Sequence, residues 1–413
     1  MKKPTILLYL FTISFISLAC LWDRDTITFE KEQFPSTLEI ITGNFIRHSP
    51  EFYQWRIKDR EEKLKTNPEE WHYYDDLAVA YDKTGNHSKA IELMLQKEKL
   101  YPNQYETYAN LGTFYIHNKA YKKGLQYIDK AIKINPDAHF GREIYQKYLV
   151  EYLLSKKKNG YLMLPLNPYT KNDYYQSGFY FYLKKRQKEE FNTRKARLGL
   201  MGMVKFGKHN SPILMEALGD LLAGERKNIP NNAPYLAYMA YKRASMLAKY
   251  TSAKQLYNKK NPTKDQWAKL KYYMPNRSKN ISLQEVISHL DRRFANEIKK
   301  GQKLAQQIRS DEIRWIATGA DPEAKFDKKY LKKDEVIKYM DWALKERNDP
   351  KNRKLPLKKV NADRTIDSNS KVQKQKSETE QDTSKPIPYK SIAIIAIAGI
   401  AIVLIAKLII PKK

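Results

Sequence analysis

The stretch YANLGTFY, residues 108–115, places Gly112 inside a sequence that otherwise predicts a helix. Glycine in a helix interior costs about 1 kcal/mol relative to alanine, so its presence there needs a packing reason. The stretch YYDDLAVAY, residues 73–81, lies 34 residues upstream in register and has the same pattern of aromatic and small residues. The two stretches therefore read as copies of one structural unit.

The similarity extends beyond these stretches at the same shift. A repeat of about 34 residues is typical of a helix–turn–helix unit. The segment 71–136 resembles the tetratricopeptide repeat family, with units at 71–104 and 105–138. The resemblance rests on Tyr74 with Tyr108, Leu77 with Leu111, Ala78 with Gly112, Tyr81 with Tyr115, Ala90 with Gly124 and Pro102 with Pro136. Lys97 departs from the small residue that the family has at that position, which predicts looser packing in the first unit.

The resemblance implies an all-α fold of stacked helical hairpins. Gly112 then gives the second helix of its own hairpin room to approach closely. Flanking helices extend the predicted repeat domain to 49–156. Ser49 and Pro50 have the pattern of a helix start, because serine caps N-termini and proline fits the first turn.

The family binds peptides or partner proteins on the concave face formed by the first helix of each unit. The resemblance therefore implies a protein or peptide partner, and no catalysis. By helical spacing, the expected binding residues are Asp75, Val79, Asp82, Ala109, Thr113 and Ile116. This face is mildly acidic, which favours a basic peptide.

Positive charge is concentrated outside the repeats. The chain of 413 residues has a formal net charge of +30. Residues 139–310 carry 34 Lys/Arg and 12 Asp/Glu, whereas residues 71–138 carry 9 and 8. Three interpretations of the basic middle region stay open: compositional bias, binding of anionic lipid or an envelope polymer, and nucleic-acid binding. No nucleic-acid fold signature accompanies the charge, and no nucleic-acid partner is expected.

Both ends of the chain predict a membrane location. MKKPTILLYLFTISFISLAC, residues 1–20, has the lysines and apolar run of an export segment. Cys20, the one cysteine, resembles a bacterial lipoprotein processing site; lipidation, simple cleavage and an uncleaved anchor are the three alternatives. The run SIAIIAIAGIAIVLIAKLII at 391–410 predicts a transmembrane helix over 389–410. The body is expected outside the cytosol, in the periplasm or envelope, with a short cytoplasmic tail.

The region between the repeats and the membrane predicts further helices and then a tether. A basic helical region covers 177–348, beginning with one long helix at about 177–206. A degenerate hairpin at about 212–248 carries Leu218, Gly219, Ala237 and Tyr241, and further helices follow at 281–318 and 332–348. Residues 349–388 have the composition of a disordered linker.

No motif predicts an enzyme, a cofactor or a metal. No phosphate-binding glycine loop or GxSxG is present, and no two of the seven histidines lie three to five residues apart. His117 and His139 could meet in space, but the favoured interpretation of each is a lone surface or core histidine. The adjacent Asp75 and Asp76 are expected on a solvated helix face. The sequence thus predicts a membrane-tethered interaction scaffold; the alternative is a structural envelope protein that binds anionic lipid or wall polymer through its basic region.

Overall fold

The computed structural model describes residues 21–26, 34–136, 138–168, 178–224, 233–260 and 282–331. These residues form helices joined by turns, and among them the one strand-like feature is an isolated antiparallel bridge between Lys158 and Tyr161. The all-α prediction is confirmed. The export segment, Cys20, the 332–348 helix, the linker and the 389–410 helix lie outside the described residues.

Two capped helices precede the repeats. The first, α1, runs from Thr37 to Thr42 and begins with a capping box in which Ser36 and Glu39 bond each other's backbone. The second, α2, runs from Pro50 to Thr66. Ser49 accepts a hydrogen bond from the backbone of Phe52, and Pro50 occupies the first turn, as the sequence predicts.

The next four helices form two hairpins with identical spacing. They are α3 (Trp71–Lys83), α4 (His87–Leu100), α5 (Tyr105–His117) and α6 (Tyr121–Ile134). Each helix of the second hairpin begins and ends 34 residues after its counterpart in the first. The repeat read from the sequence is therefore a repeat of helix boundaries.

The packing reason for Gly112 is visible between α5 and α6. A Cβ atom on Gly112 would lie 2.6 Å from Cγ1 of Ile128 and 3.2 Å from the carbonyl oxygen of Gly124. A Cβ on Gly124 would lie 2.9 Å from the carbonyl oxygen of Gly112. Each glycine thus faces the backbone of the other helix, and a side chain at either position would force the helices apart.

The chain continues through eight further helices in the described ranges. They are α7 (Arg142–Lys156), α8 (Phe179–Gln187), α9 (Thr193–Gly202), α10 (Pro212–Gly224), α11 (Ala233–Leu247), α12 (Thr251–Asn258), α13 (Leu283–Ala317) and α14 (Pro322–Tyr330). Within these ranges, no helix is long and apolar enough to cross a membrane.

The prediction of one long helix over 177–206 is wrong. Helix α8 ends at Gln187, a short 3₁₀ turn follows, and Lys188 has a positive φ of 51°. Asn192 then caps α9 by accepting a hydrogen bond from the backbone of Lys195. Because Asn caps a helix better than it sits inside one, this residue marks a new start that the hydrophobic pattern did not reveal.

The predicted hairpin near 212–248 is present as α10 and α11. A Cβ on Gly219 would lie 2.6 Å from the ring of Tyr241, so the glycine accommodates the tyrosine. Both helices belong to a large apolar core that extends from α1 to α13. A second core fills the repeats and includes Leu21 from the N-terminal segment.

Candidate functional site

The segment Leu21–Thr26, called the N-terminal segment below, lies against the first helices of the two hairpins. The side-chain amide of Asn110 on α5 accepts a hydrogen bond from the backbone N–H of Trp22 at 2.8 Å. It also donates to the carbonyl oxygen of Trp22 at 2.9 Å. Asp76 on α3 accepts from the backbone N–H of Arg24 at 3.0 Å.

Asp76 and Asn110 occupy equivalent positions, 34 residues apart, in the two units. Equivalent positions on adjacent helices therefore bind the main chain of alternate residues in the segment. When one amide side chain contacts both the N–H and the C=O of one residue, both groups must face the same side, as in an extended chain. The contact surface of Asp76, Tyr105 and Asn110 is called the docking face below.

Apolar contacts fix the start of the segment. Leu21 is 2% exposed and joins the repeat core beside Tyr105. The Trp22 and Tyr105 rings meet edge to face with centroids 5.7 Å apart, an arrangement that aromatic pairs favour. The side chains at positions 21 and 22 thus give the docking face a preference for an apolar and an aromatic residue, which main-chain hydrogen bonds alone cannot give.

Charged groups hold the rest of the segment. The guanidinium of Arg56 on α2, 0% exposed, donates to both oxygens of Asp25 at 2.7 and 3.0 Å and lies 3.4 Å from Asp23. Arg24 donates to Asp327 on α14. Asp23 also accepts from the backbone of Thr26 at 2.8 Å and so caps the helical turn that closes the segment.

Glu323 on α14 completes this network. Arg56 donates to it from Nε at 2.8 Å, and Arg60 donates to both of its oxygens at 2.6 and 2.7 Å. Arg60 also donates to Asp76 at 3.0 Å. The two arginines of α2 therefore connect the docking face, the N-terminal segment and the last described helix.

The network separates the titration of its carboxyl groups. Burial raises the pKa of Asp23 to about 6, and the charge of Asp25 adds to the rise. Burial also acts to raise the pKa of Asp25, but Arg56 and His48 hold it well below its usual range. Burial opposes ionisation of Glu323 too, yet Arg56 and Arg60 lower its pKa to about 2. Asp25 and Glu323 are thus carboxylates at neutral pH.

His48 lies at the far end of this network. Its Nδ1 is 2.5 Å from Glu312 of α13, and its Nε2 is 3.3 Å from Asp25. Burial acts to lower the pKa of His48, but the two carboxylates outweigh it and raise the pKa to about 9. The imidazolium therefore links α13 to the N-terminal segment.

The six residues expected on the binding face are all buried, and their role in partner binding stays a prediction. Ile116 and Val79 are 0% exposed, and the other four are at most 5% exposed. Polar contacts within the fold account for Asp75 with Lys97, Asp82 with His87 and His117, and Thr113 with Gln146. The residues that bind the N-terminal segment each follow an expected one in the sequence, Asp76 after Asp75 and Asn110 after Ala109, and they too are buried, at 4% and 0% exposed.

The prediction that Asp75 and Asp76 lie on a solvated helix face is wrong, since they are 2% and 4% exposed. Lys97 lies fully buried against Asp75, and its ammonium is 4.5 Å from the centroid of the Trp71 ring. Burial raises the pKa of Asp75 to about 7 in spite of Lys97.

Sequence reasoning missed Asp76, Asn110 and the two arginines of α2. One signal was available. Asp76 and Asn110 are polar residues at equivalent repeat positions, and each precedes a leucine, Leu77 or Leu111, that the two units share. No signal in the repeat pattern predicted that residues 21–26 would be the occupant, because they lie well before α3, which begins at Trp71, and match no part of the repeat.

No protein-family model matches the chain, and no curated protein is similar to it in sequence. The docking face and its occupant therefore carry the functional conclusion.

Proposed function

We propose that this protein is an exported, membrane-tethered interaction scaffold of the tetratricopeptide type, whose docking face binds peptides by their main chain. One observation carries the proposal: Asp76 and Asn110, at equivalent positions of two units, bind the backbone of alternate residues in the N-terminal segment. A peptide from another protein can make the same bonds, since they require no particular side chain.

The side-chain contacts suggest what such a peptide contains. The occupant presents a buried leucine, an aromatic ring edge-on to Tyr105, and aspartates that bind Arg56. A partner of matching chemistry has an apolar and an aromatic residue followed by acidic residues. This differs from the basic peptide favoured by the sequence, because the buried arginines of α2 lie beside the docking face.

A peptide-binding experiment tests the proposal on the full-length chain in detergent. The L21S/W22S variant weakens the hold of the N-terminal segment, because it removes both apolar contacts. A fluorescent LWDRDT peptide is expected to bind this variant at least ten-fold more tightly than it binds the wild-type chain. Fluorescence anisotropy measures the difference.

Two control variants and a scrambled peptide distinguish specific docking from non-specific binding. Adding Asn110→Ala to the variant is expected to abolish binding, whereas adding Asn118→Ala, at the exposed residue that follows α5, leaves it unchanged. A scrambled peptide should not bind. Equal binding by the wild-type chain and all variants, or no binding to a variant that retains its helical circular dichroism, overturns the proposal.

A structural envelope role is the second candidate, and exposed cations support it. Lys184, Lys185, Arg194 and Lys195 on α8 and α9 are all exposed. Cations near an anionic membrane surface contribute about 1 kcal/mol each, and salt screens them. Co-sedimentation with phosphatidylglycerol vesicles is expected to fall several-fold between about 50 and about 500 mM salt, because added salt shortens the Debye length. Binding that ignores salt would count against this role.

A further inference from the structure

Three potential metal ligands meet where α3 and α5 end and α4 begins. Asp82 lies in the last turn of α3, His87 is the first residue of α4, and His117 is the last residue of α5. The Nδ1 atom of His87 is 2.7 Å from Oδ1 of Asp82. The Nδ1 atom of His117 is 2.8 Å from both oxygens of the same carboxylate.

The two imidazoles therefore point their Nδ1 atoms at one carboxylate. One donor atom from each of the three residues lies within 4.8 Å of the others. The rings are 5.4 Å apart and inclined at 61°, so they approach Asp82 from different directions. Such convergence is what a shared cation needs, and it joins the two helical units at a single point.

The orientation of His117 has no other polar cause within the described residues. Its ring is 6% exposed, and its Nε2 atom is buried without a hydrogen-bond partner. An unpartnered buried nitrogen costs free energy, so the ring position is maintained by what happens at Nδ1. Asp82 is the polar group that Nδ1 contacts.

Two neutral imidazoles and a carboxylate are a donor set that suits zinc. Zn–N and Zn–O bonds of about 2.0–2.2 Å put tetrahedral ligand atoms about 3.3 Å apart. The present N–O separations are shorter, so the carboxylate must withdraw by about 0.5 Å to admit the ion. The His87 side chain is 17% exposed, which gives an ion a route from solvent.

Two lysines near the cluster reduce the expected affinity. The Lys83 ammonium donates to the carbonyl oxygens of Phe206 and Gly207, at 2.5 and 2.8 Å, and so is held by other groups. Lys208 is close enough for its charge to interact with that of Asp82. A cation here therefore binds more weakly than in a closed site with four cysteine ligands.

We propose that Asp82, His87 and His117 form a zinc site with an open fourth position, which links α3, α4 and α5. Zinc takes its protein ligands in their deprotonated forms, so its binding falls with decreasing pH. Because the ion binds the folded chain, it raises the thermal stability of the repeats.

Metal binding to the full-length chain, purified without a histidine tag and treated with a chelator, tests the site. Equilibrium dialysis against Zn²⁺ is expected to show one bound equivalent that raises the melting temperature. Co²⁺ in its place should give the strong visible absorption of a tetrahedral complex. His87→Gln is expected to weaken Zn²⁺ binding at least ten-fold and to remove the rise in melting temperature.

The matched control is His289→Gln on α13, which should bind Zn²⁺ as the wild-type chain does. His87 is partly exposed, so its variant decides the question even if Asp82→Asn or His117→Gln fails to fold. Absence of Zn²⁺ binding by the wild-type chain overturns the proposal. Undiminished binding by His87→Gln overturns it equally.

Discussion

At the scale of single residues, two positions show how the repeat pattern relates to packing. Gly112 follows the pattern and provides the close approach of α5 and α6. Lys97 breaks the pattern, and the structure compensates with a carboxylate, Asp75, at its buried end. The sequence could predict the first because it needs only the shape of a hairpin. The pairing of Lys97 with Asp75 could not be predicted, because Asp75 lies 22 residues away on another helix.

Gly112→Ala is expected to lower the free energy of unfolding by about 1–2 kcal/mol. Alanine gains about 1 kcal/mol in helix propensity, but overpacking a core costs about 1–3 kcal/mol, here toward the upper end because the new Cβ meets backbone. The contact with Cγ1 of Ile128 is 2.6 Å. Urea denaturation followed by circular dichroism measures the change.

A double-mutant cycle identifies the cause of that loss. Ile128→Ala removes the Cγ1 atom, so the double variant should be more stable than the sum of the two single changes predicts. Strict additivity of Gly112→Ala and Ile128→Ala would show that the glycine is kept for another reason.

At the scale of elements, helix boundaries were predictable where a local signal marks them. Ser49 with Pro50 located the start of α2, and the 34-residue period located four helices. The break between α8 and α9 was missed because the residue with a positive φ is Lys188, and no glycine marks the position in the sequence. The N-terminal segment was missed for a different reason: its conformation depends on Asn110 and Asp76, which are remote in sequence.

At the scale of the whole molecule, the last described helices return to the first ones. Glu312 of α13 contacts His48 and the backbone of Ser49, and Glu323 of α14 contacts Arg56 and Arg60. These carboxylates are separated from their partners by more than 260 residues. Hydrophobic periodicity carries no information about such pairs, so the sequence indicated the helices but not this closure.

Because His48 takes part in this closure, the free energy of unfolding is expected to fall at alkaline pH. Its pKa rises from 6.5 in the unfolded chain to about 9 in the fold, where Asp25 and Glu312 face the ring and Arg56 lies beyond Asp25. A raised pKa means that the contribution is complete below pH 6.5 and is lost as the pH rises through 9. We expect a loss of about 2–3 kcal/mol in the free energy of unfolding across this window.

Urea denaturation at several pH values across that window measures this dependence. His48→Gln should be less stable than the wild-type chain at the acid end and should show a flatter decline toward the alkaline end. His289→Gln is the matched control and should keep the wild-type slope. The same slope in all three chains would exclude His48 as the cause.

The N-terminal segment also sets the terms on which any partner competes. Because the segment and the docking face belong to one chain, the segment is present at an effective concentration of the order of millimolar. A peptide in solution must displace this local competitor, so its apparent dissociation constant is its intrinsic one divided by the fraction of docking faces that are vacant. Single weak peptides are thereby rejected. Under the proposed function, abundant partners, or partners that offer several copies of the motif, are expected to compete best.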